Sequence, residues 1–155
     1  MRLSLDDLGL RGGQRRVCTY PIDMAPVVMG GERYEVVLAE GVTVSVERIA
    51  GGYLIGVELA AKVFGPCVRC LEETGLDVHA EEQEFVPTAA GGWAESDASP
   101  FVEGLVVDIS GLCREALVLA MPERVLCVAD CKGLCPLCGA ELNRGECGCA
   151  PLELS

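Results

Sequence analysis

Eight of the ten cysteines in this sequence fall into two groups, and their spacing limits the possible folds more than any other feature. One group is the CVRC pair, and the other is the six cysteines between Cys127 and Cys149. A two-residue gap lets one turn present both sulfurs to the same ion while backbone N–H groups point at them. Eight thiolates make two tetrahedral sets. We therefore predict two structural zinc sites with these ligands: Cys67, Cys70, Cys127, Cys131, Cys135, Cys138, Cys147 and Cys149.

The favoured partition of these cysteines has one local set and one long-range set. The segment GAELNRGE is long enough to return the CPLCG pair to the last two cysteines, and Gly139 can adopt the positive φ that closes such a turn. The CVRC pair would then join Cys127 and Cys131, clasping the strand region to the chain beyond the helix. A rival partition, ranked second because it strands one thiol, groups Cys131, Cys135 and Cys138 with one of the last pair.

Two other cysteine chemistries remain open from the sequence. An iron–sulfur cluster also accepts four cysteines, although the two-residue spacing favours zinc. A redox centre of the thioredoxin type places its first cysteine at a helix N-terminus, where the dipole lowers the pKa. The stretch CVRCLEETG indicates a short turn into more strand, which disfavours the redox centre.

Three further residues with reactive side chains have simpler interpretations. Cys18 has no cysteine or histidine near it in sequence, and Cys113 falls on the apolar face of a predicted helix, so both are expected to be small core residues. His79 alternates with Asp77 and Glu81 on the polar side of a strand, which predicts a surface histidine.

The region from Tyr34 to Phe85 alternates apolar and polar residues with period two, which predicts β-strands with one apolar face. Val42, Val44 and Val46 alternate with polar neighbours, and the run from Val57 to Val63 does the same. A further strand is predicted from about Leu76 to Val86.

Turn signals between these strands indicate an antiparallel meander. The glycines of EGV at Glu40 and AGGY at Ala50 are expected to form the turns, and Pro87 to end the last strand. The predicted fold class is therefore α+β: an antiparallel β-rich domain with one main helix and a C-terminal cysteine-rich, zinc-binding tail.

The second half of the chain carries the helix and the domain boundary. A small, acidic stretch near 87–100 predicts a mobile loop, in which Trp93 docks back on the sheet. FVEGLVVDIS predicts a strand, and Ser110 is expected to cap a helix from about Gly111 to Met121 that Pro122 stops. We predict a core domain over 1–131 and a zinc-knuckle tail over 132–155.

The net charge of −12 restricts the class of partner. Non-specific affinity for RNA comes mainly from Lys and Arg, so an acidic chain fits a basic protein partner better. Glu72, Glu73 and Glu84 are the positions expected to face that partner. The cations beside the cysteines are expected to be solvated surface charges: Arg69, Lys132 and Arg144.

Two features predict a cytoplasmic protein without a membrane contact. No apolar run approaches the roughly 20 residues that cross a bilayer. The start, MRLSLDDLGLRGGQRR, carries Asp6 and Asp7 where a signal peptide needs apolar residues. A reducing compartment favours thiolate ligands over disulfides.

Three segments in order, CVRCLEE, VDISGLCREALVLAMPERVLC and CKGLCPLCGAELNRGECGC, resemble the YceD family of bacterial large-ribosomal-RNA accumulation proteins, in the subgroup with a cysteine-rich tail. The resemblance implies a cytoplasmic factor that assists processing or protection of large-subunit ribosomal RNA during ribosome assembly. In the family pattern a Cys or His pair after the helix and its proline joins the middle CxxC, which matches Cys127 and Cys131. The tail cysteines form a module that some members lack.

We therefore expect a non-catalytic ribosome-biogenesis factor that binds a basic ribosomal protein or assembly factor, with any contact to ribosomal RNA indirect. A nuclease would need clustered carboxylates for magnesium or a histidine pair, and closed four-thiolate sites lack the open position that hydrolysis requires. Two alternatives remain: a zinc-ribbon protein that binds ribosomal RNA directly, which would need a basic stripe, and, less favoured, a CxxC thiol-disulfide oxidoreductase.

Overall fold

The computed structural model describes residues 1–88 and 99–150, and most of the regular elements in these ranges are strands. In chain order they are β1 (Arg2–Ser4), a short 3-10 helix (Asp6–Leu8), β2 (Arg15–Tyr20), β3 (Val27–Met29), β4 (Glu32–Ile49), β5 (Gly52–Pro66), β6 (Glu73–Pro87), β7 (Val102–Glu103), β8 (Val106–Asp108) and α1 (Ile109–Ala120). No helix within these two ranges is long and apolar enough to span a bilayer.

A five-stranded antiparallel sheet forms the body of the molecule, with the order β2-β4-β5-β6 and β3 paired to β4. Its three long strands are those that the period-two alternation predicts, and the AGGY turn joins β4 to β5 with Gly51 at φ 83°. Val44 and Val57 are paired across β4 and β5, and both are buried. The predicted α+β class, antiparallel and rich in strand with one main helix, is confirmed.

The expected turn at EGV is wrong, because β4 continues through it as a bulge. Register shifts between Leu38, opposite Ala61, and Val42, opposite Leu59, so the strand carries extra residues without reversing. Gly41 has φ 82°, and a Cβ there would lie 2.5 Å from the carbonyl oxygen of Tyr20. The glycine therefore serves a bulge under the end of β2, and the long partner β5 keeps both halves of β4 in one sheet.

One face of the main sheet is buried by α1 and by a small sheet of order β1-β8-β7. Ile55 and Val63 of the sheet and Leu117 of α1 are fully buried in this core. Burying side chains of this size contributes about 1.5–3 kcal/mol each, which makes this aliphatic layer the main source of stability.

The segment before α1 differs from its prediction in two details. FVEGLVVDIS forms a hairpin of β7 and β8 instead of one strand, because Gly104, with φ 62°, reverses the chain. Asp108, not Ser110, caps the helix: its carboxylate accepts a hydrogen bond from the N–H of Gly111 at 3.2 Å. The helix therefore begins two residues before the predicted start, and its C-terminal cap at Met121 precedes Pro122 as expected.

The residues given simple interpretations lie close to their predicted places. Cys113 is fully buried on the core face of α1, and Cys18 is half-buried on β2 opposite Val44. His79 is exposed on β6. Residues 89–98, which hold Trp93 and most of the predicted loop, lie outside the described residues. The domain division at 131 stays a prediction.

Candidate metal centres

The first centre begins at the turn between β5 and β6, which carries Cys67 and Cys70. Two backbone hydrogen bonds close this turn: the N–H of Cys67 donates to the carbonyl of Glu72 at 2.8 Å, and that of Leu71 donates to the carbonyl of Cys67 at 2.9 Å. Leu71 has a left-handed backbone with φ 63°. The turn holds both sulfurs on one side, in the manner that a two-residue gap allows.

The segment after α1 brings the other two cysteines to this turn. The N–H of Val68 donates to the carbonyl of Val125 at 2.9 Å, which joins the two segments directly. Beyond that point the Sγ of Cys127 lies 3.6 Å from that of Cys70, and the Sγ of Cys131 lies 3.7 Å from that of Cys67. All four sulfurs lie within 4.8 Å of one another.

These distances fit a four-thiolate metal site. A tetrahedron of sulfurs at about 2.3 Å from a central ion has edges of about 3.8 Å, which is close to the two sulfur separations observed. Cys67, Cys70 and Cys131 are buried, with Cys127 half-buried and Leu126 and Leu134 packed beside them. Four sulfurs in this arrangement would leave a bound ion no open position, which is the form of a structural centre.

Protonation in the first set is uneven. Burial raises the pKa of the Cys67 thiol, but donation from the backbone N–H groups of Cys70, Arg69 and Cys127 outweighs it and lowers the pKa to about 6. Burial and the neighbouring thiols raise the pKa of Cys127 to about 12. One thiolate is therefore stabilised and then opposes ionisation of the others. A bound dication would remove this repulsion, because metal binding and loss of thiol protons are coupled.

The second set repeats the first turn. At the CPLCG pair the N–H of Cys135 donates to the carbonyl of Ala140 at 2.8 Å, and the N–H of Gly139 donates to the carbonyl of Cys135 at 2.8 Å. Gly139 has φ 73°, the positive value expected from the sequence. The sulfurs of this set also lie within 4.8 Å of one another: Cys135, Cys138, Cys147 and Cys149.

Electrostatics in the second set follow the same pattern. The N–H groups of Cys138 and Leu137 lower the pKa of the Cys135 thiol to about 6. The neighbouring thiols, Cys138 first, raise the pKa of Cys149 to about 12. This set is less enclosed than the first, since Cys138 is exposed while Cys135 is buried.

The structure groups the eight cysteines in the two sets that the sequence favours, and each set could hold a metal ion. Cys131 belongs to the first set, so the rival grouping of Cys131 with Cys135 and Cys138 is not formed. Cys18 and Cys113 lie in neither set. That the eight sulfurs are ligands, and that the metal is zinc, stay predictions.

Sequence reasoning missed two polar residues that contact Cys131 of the first set. Asn143 donates from Nδ2 to the Sγ of Cys131 at 3.3 Å, and Arg69 donates from Nη1 to the carbonyl of Cys131 at 2.8 Å. Gly133, with φ 75°, passes so close to Arg69 that a Cβ would lie 3.2 Å from the Arg69 carbonyl oxygen. Only the asparagine within GAELNRGE gives any sequence signal, as a polar residue in the loop between two ligand pairs.

Comparison with known proteins gives a family match that covers the whole region holding both centres. The family model described as "Large ribosomal RNA subunit accumulation protein YceD" matches residues 55–153. No solved structure matches the chain.

Curated relatives come from mycobacteria. The uncharacterized protein Mb2951c of Mycobacterium bovis and the uncharacterized protein Rv2926c of Mycobacterium tuberculosis are each 31% identical to the chain over 100 residues, which is 63% of this chain and 48% of theirs. The chain thus spans about half the length of the curated relatives it matches.

Proposed function

The chain belongs to the YceD family of large ribosomal RNA subunit accumulation proteins, and from this we propose that it is a cytoplasmic, non-catalytic ribosome-biogenesis factor. In this proposal it supports accumulation or processing of large-subunit ribosomal RNA by binding a basic ribosomal protein or assembly factor. Contact with RNA is indirect. The family name supports the role in accumulation; charge and surface geometry support the choice of partner.

Two zinc ions complete this proposal as structural parts. Cys67, Cys70, Cys127 and Cys131 would hold one, and Cys135, Cys138, Cys147 and Cys149 the other. Four thiolates around zinc make a closed site without redox chemistry. The ions would fix the tail and the strand region against each other and leave recognition to the protein surface.

The cations beside the cysteines support indirect contact with RNA, because two of the three are already engaged within the protein. Arg69 donates to the carbonyl of Cys131, and Arg144 forms ion pairs with Glu72 at 3.4 Å and Glu141 at 2.6 Å. A direct RNA binder presents Lys and Arg to phosphate. Lys132 alone adds little to such a surface.

The observation that carries the choice of a basic partner is a pair of glutamates on the open face of the main sheet. Glu58 of β5 and Glu81 of β6 lie directly opposite each other, and both are exposed. Like charges at this position of a sheet are destabilising. Neither takes part in a salt bridge within residues 1–88 and 99–150. A cationic side chain from a partner would relieve this repulsion.

The same glutamates line a concave surface on which an extended basic segment fits. Two adjoining concavities of about 630 and 670 Å³ share Thr43, Glu58 and Glu81. Gly56 and Ala60 also line these concavities and carry little or no side chain of their own. We name this surface the open-face groove.

The glutamates expected from the sequence to face the partner are less suitable. Glu72 is paired with Arg144, and Glu84 is half-buried opposite Ile55, on the side of the sheet that α1 covers. Glu73 is exposed at the start of β6. The proposal therefore assigns the main electrostatic contact to Glu58 and Glu81, which steer the encounter with a basic partner.

The oxidoreductase alternative lacks the geometry it requires. Cys67 lies in a turn between two strands instead of at a helix N-terminus, and its side chain is fully buried. Its lowered pKa comes from backbone N–H groups that would equally stabilise a metal-bound thiolate. A buried thiol among three others is poorly placed to attack a protein disulfide.

Affinity isolation of the tagged protein from its host cells, with and without nuclease, tests the adaptor proposal. Recovery of the partner should be unchanged by nuclease treatment, because the contact is between proteins. Reversal of the paired charges by Glu58→Lys together with Glu81→Lys should abolish recovery of the partner. Glu115→Lys, combined with Glu123→Lys, makes the same change of charge at exposed positions outside the groove and should leave recovery intact.

Direct RNA recognition predicts a different result in the same experiment. Recovery of large-subunit precursors would then depend on RNA and on Arg69, Lys132 and Arg144, and charge reversal in the open-face groove would have no effect. Tight binding of the purified protein to bare large-subunit RNA would overturn the adaptor proposal.

A further inference from the structure

The loop between Cys138 and Cys147 of the second set contacts the sulfurs of the first set through one side chain. Asn143 places its Nδ2 at 3.3 Å from the Sγ of Cys131 and at 3.9 Å from the Sγ of Cys127. These are the two ligands of the first set that come from the segment after α1. Asn143 is thus a residue of one candidate centre that contacts the sulfurs of the other.

The orientation of the amide is determined by its second contact. Its Oδ1 accepts a hydrogen bond from the backbone N–H of Lys132 at 2.8 Å. A backbone N–H can only donate, so the oxygen must face Lys132 and the NH₂ group must face the sulfurs. Asn143 is therefore a hydrogen-bond donor to the first set.

Several contacts hold the loop in this position. The N–H of Leu142 donates to the carbonyl of Gly133 at 2.9 Å, and Leu134 and Glu141 form an antiparallel bridge. Arg144 joins the loop to Glu72, which follows the first CxxC turn. The ends of the loop are closed by the cysteines of the second set, so its shape depends on that set being assembled.

We propose that Asn143 is a positioning residue for the first metal site, and that assembly of the second site therefore controls how long the first retains its metal. The inference rests on the proposed occupation of both sets. Donation to a metal-bound thiolate offsets part of its charge and fixes its direction, and loss of such outer contacts typically costs 10–100-fold in metal affinity. Because coupling between two sites is reciprocal, metal in the first set would also favour the second.

The test is a chelator challenge of the ¹¹³Cd-loaded full chain, followed by ¹¹³Cd NMR, which reports each site by its own resonance. Asn143→Asp keeps an oxygen for the N–H of Lys132 but replaces the donor by an anionic oxygen beside two thiolates. The first-set resonance should disappear about tenfold faster or more. Asn143→Ala, which adds no charge, should change the rate in the same direction.

A matched control separates the contact from the change of charge. Gln14→Glu makes the same exchange of amide for carboxylate at an exposed residue whose Oε1 also accepts a backbone N–H, that of Arg11 at 2.8 Å. It should release cadmium from both sets at the wild-type rates. Equal first-set release in wild type and Asn143→Asp would overturn the proposal, since the loop contact with Lys132 is retained in that variant.

The coupling itself is tested by weakening the second set. Cys149→Ser should accelerate the release of cadmium from the first set about as much as Asn143→Ala does. The variant that combines both substitutions should release it no faster than Cys149→Ser alone. Independent, multiplicative effects would show that Asn143 does not carry the coupling. A chain that binds no cadmium at either set contradicts the proposed metal sites, whereas two bound ions with uncoupled release contradict only this inference.

Discussion

Leu71 and Gly139 hold the same position in two turns that share their hydrogen bonds. Each follows the second cysteine of a CxxC pair, and each has a left-handed backbone, with φ 63° and 73° respectively. In both turns the N–H of this residue donates to the carbonyl of the first cysteine. The first centre therefore places a leucine where the second uses glycine, although left-handed backbone costs a side-chain-bearing residue roughly 1–2 kcal/mol.

Replacing Leu71 by a residue that tolerates this backbone should stabilise the metal-loaded protein. Leu71→Asn should raise the free energy of unfolding by up to about 1 kcal/mol, since the leucine residue is 58% exposed and its replacement loses little packing. Urea unfolding measures the change. Val68→Asn alters an exposed apolar residue of the same turn without positive φ and should give no gain. A loss of stability in Leu71→Asn would mean that the contacts of the leucine side chain stabilise the protein by more than its left-handed backbone costs.

Breaking the first cysteine set should destabilise more of the protein than breaking the second. Cys67→Ser or Cys131→Ser breaks a set that joins β5 and β6 to the segment after α1. The free energy of unfolding of the whole domain should therefore fall by more than about 4 kcal/mol. Cys138→Ser or Cys149→Ser should loosen mainly the tail and lower the free energy of global unfolding by no more than about 2 kcal/mol. Urea unfolding followed by far-UV circular dichroism reports the sheet in each variant.

Equal losses in all four variants would contradict the distinction between clasp and tail. Cys18→Ala and Cys113→Ala serve as controls, because both thiols lie outside the two sets. Both should keep the full metal content.

Cys113 should make stability fall at alkaline pH. Burial raises the pKa of its thiol from 9.0 to about 11. The unfolded chain loses this proton first as pH rises above 9, so the stability that the neutral thiol contributes is lost between pH 9 and 11. Urea unfolding at several pH values should show that the free energy of unfolding of Cys113→Ala falls less steeply between pH 9 and 11 than that of the wild type. Leu112→Ala, a buried residue of the same helix without a titrating group, should lower stability by a similar amount at every pH.

The sequence predicts the long strands well because each has one face against a core, and burial imposes period two on β4, β5 and β6. It does not predict the bulge at Gly41, because a glycine serves a turn or a bulge equally and the length of the partner strand decides. Nor does it distinguish Asp108 from Ser110 as the helix cap, because Asp and Ser are equally good caps and the hairpin of β7 and β8 determines where the helix begins.

The candidate centres show the same division between local and tertiary information. Spacing indicates which cysteines share a turn, and the length of GAELNRGE favours joining the CPLCG pair to the last two cysteines. The rival partition is excluded only by the structure, which places Cys131 with Cys67, Cys70 and Cys127. Asn143 could not be found this way, because its contacts with Cys127 and Cys131 depend on how the loop folds back onto the first set. Arg69 is exposed, as a surface charge should be, and the sequence gives no sign that its guanidinium also donates to the carbonyl of Cys131.

The central claim is that two four-thiolate zinc centres hold this fold, and metal content tests it most directly. Native mass spectrometry, with elemental analysis, should find two zinc ions per chain in protein purified without chelator. Each bound ion should displace the protons of its four thiols, and stripping both should loosen the fold, since such a site contributes on the order of 10 kcal/mol of binding free energy. A single zinc ion, no metal, or iron in a coloured preparation would contradict the claim.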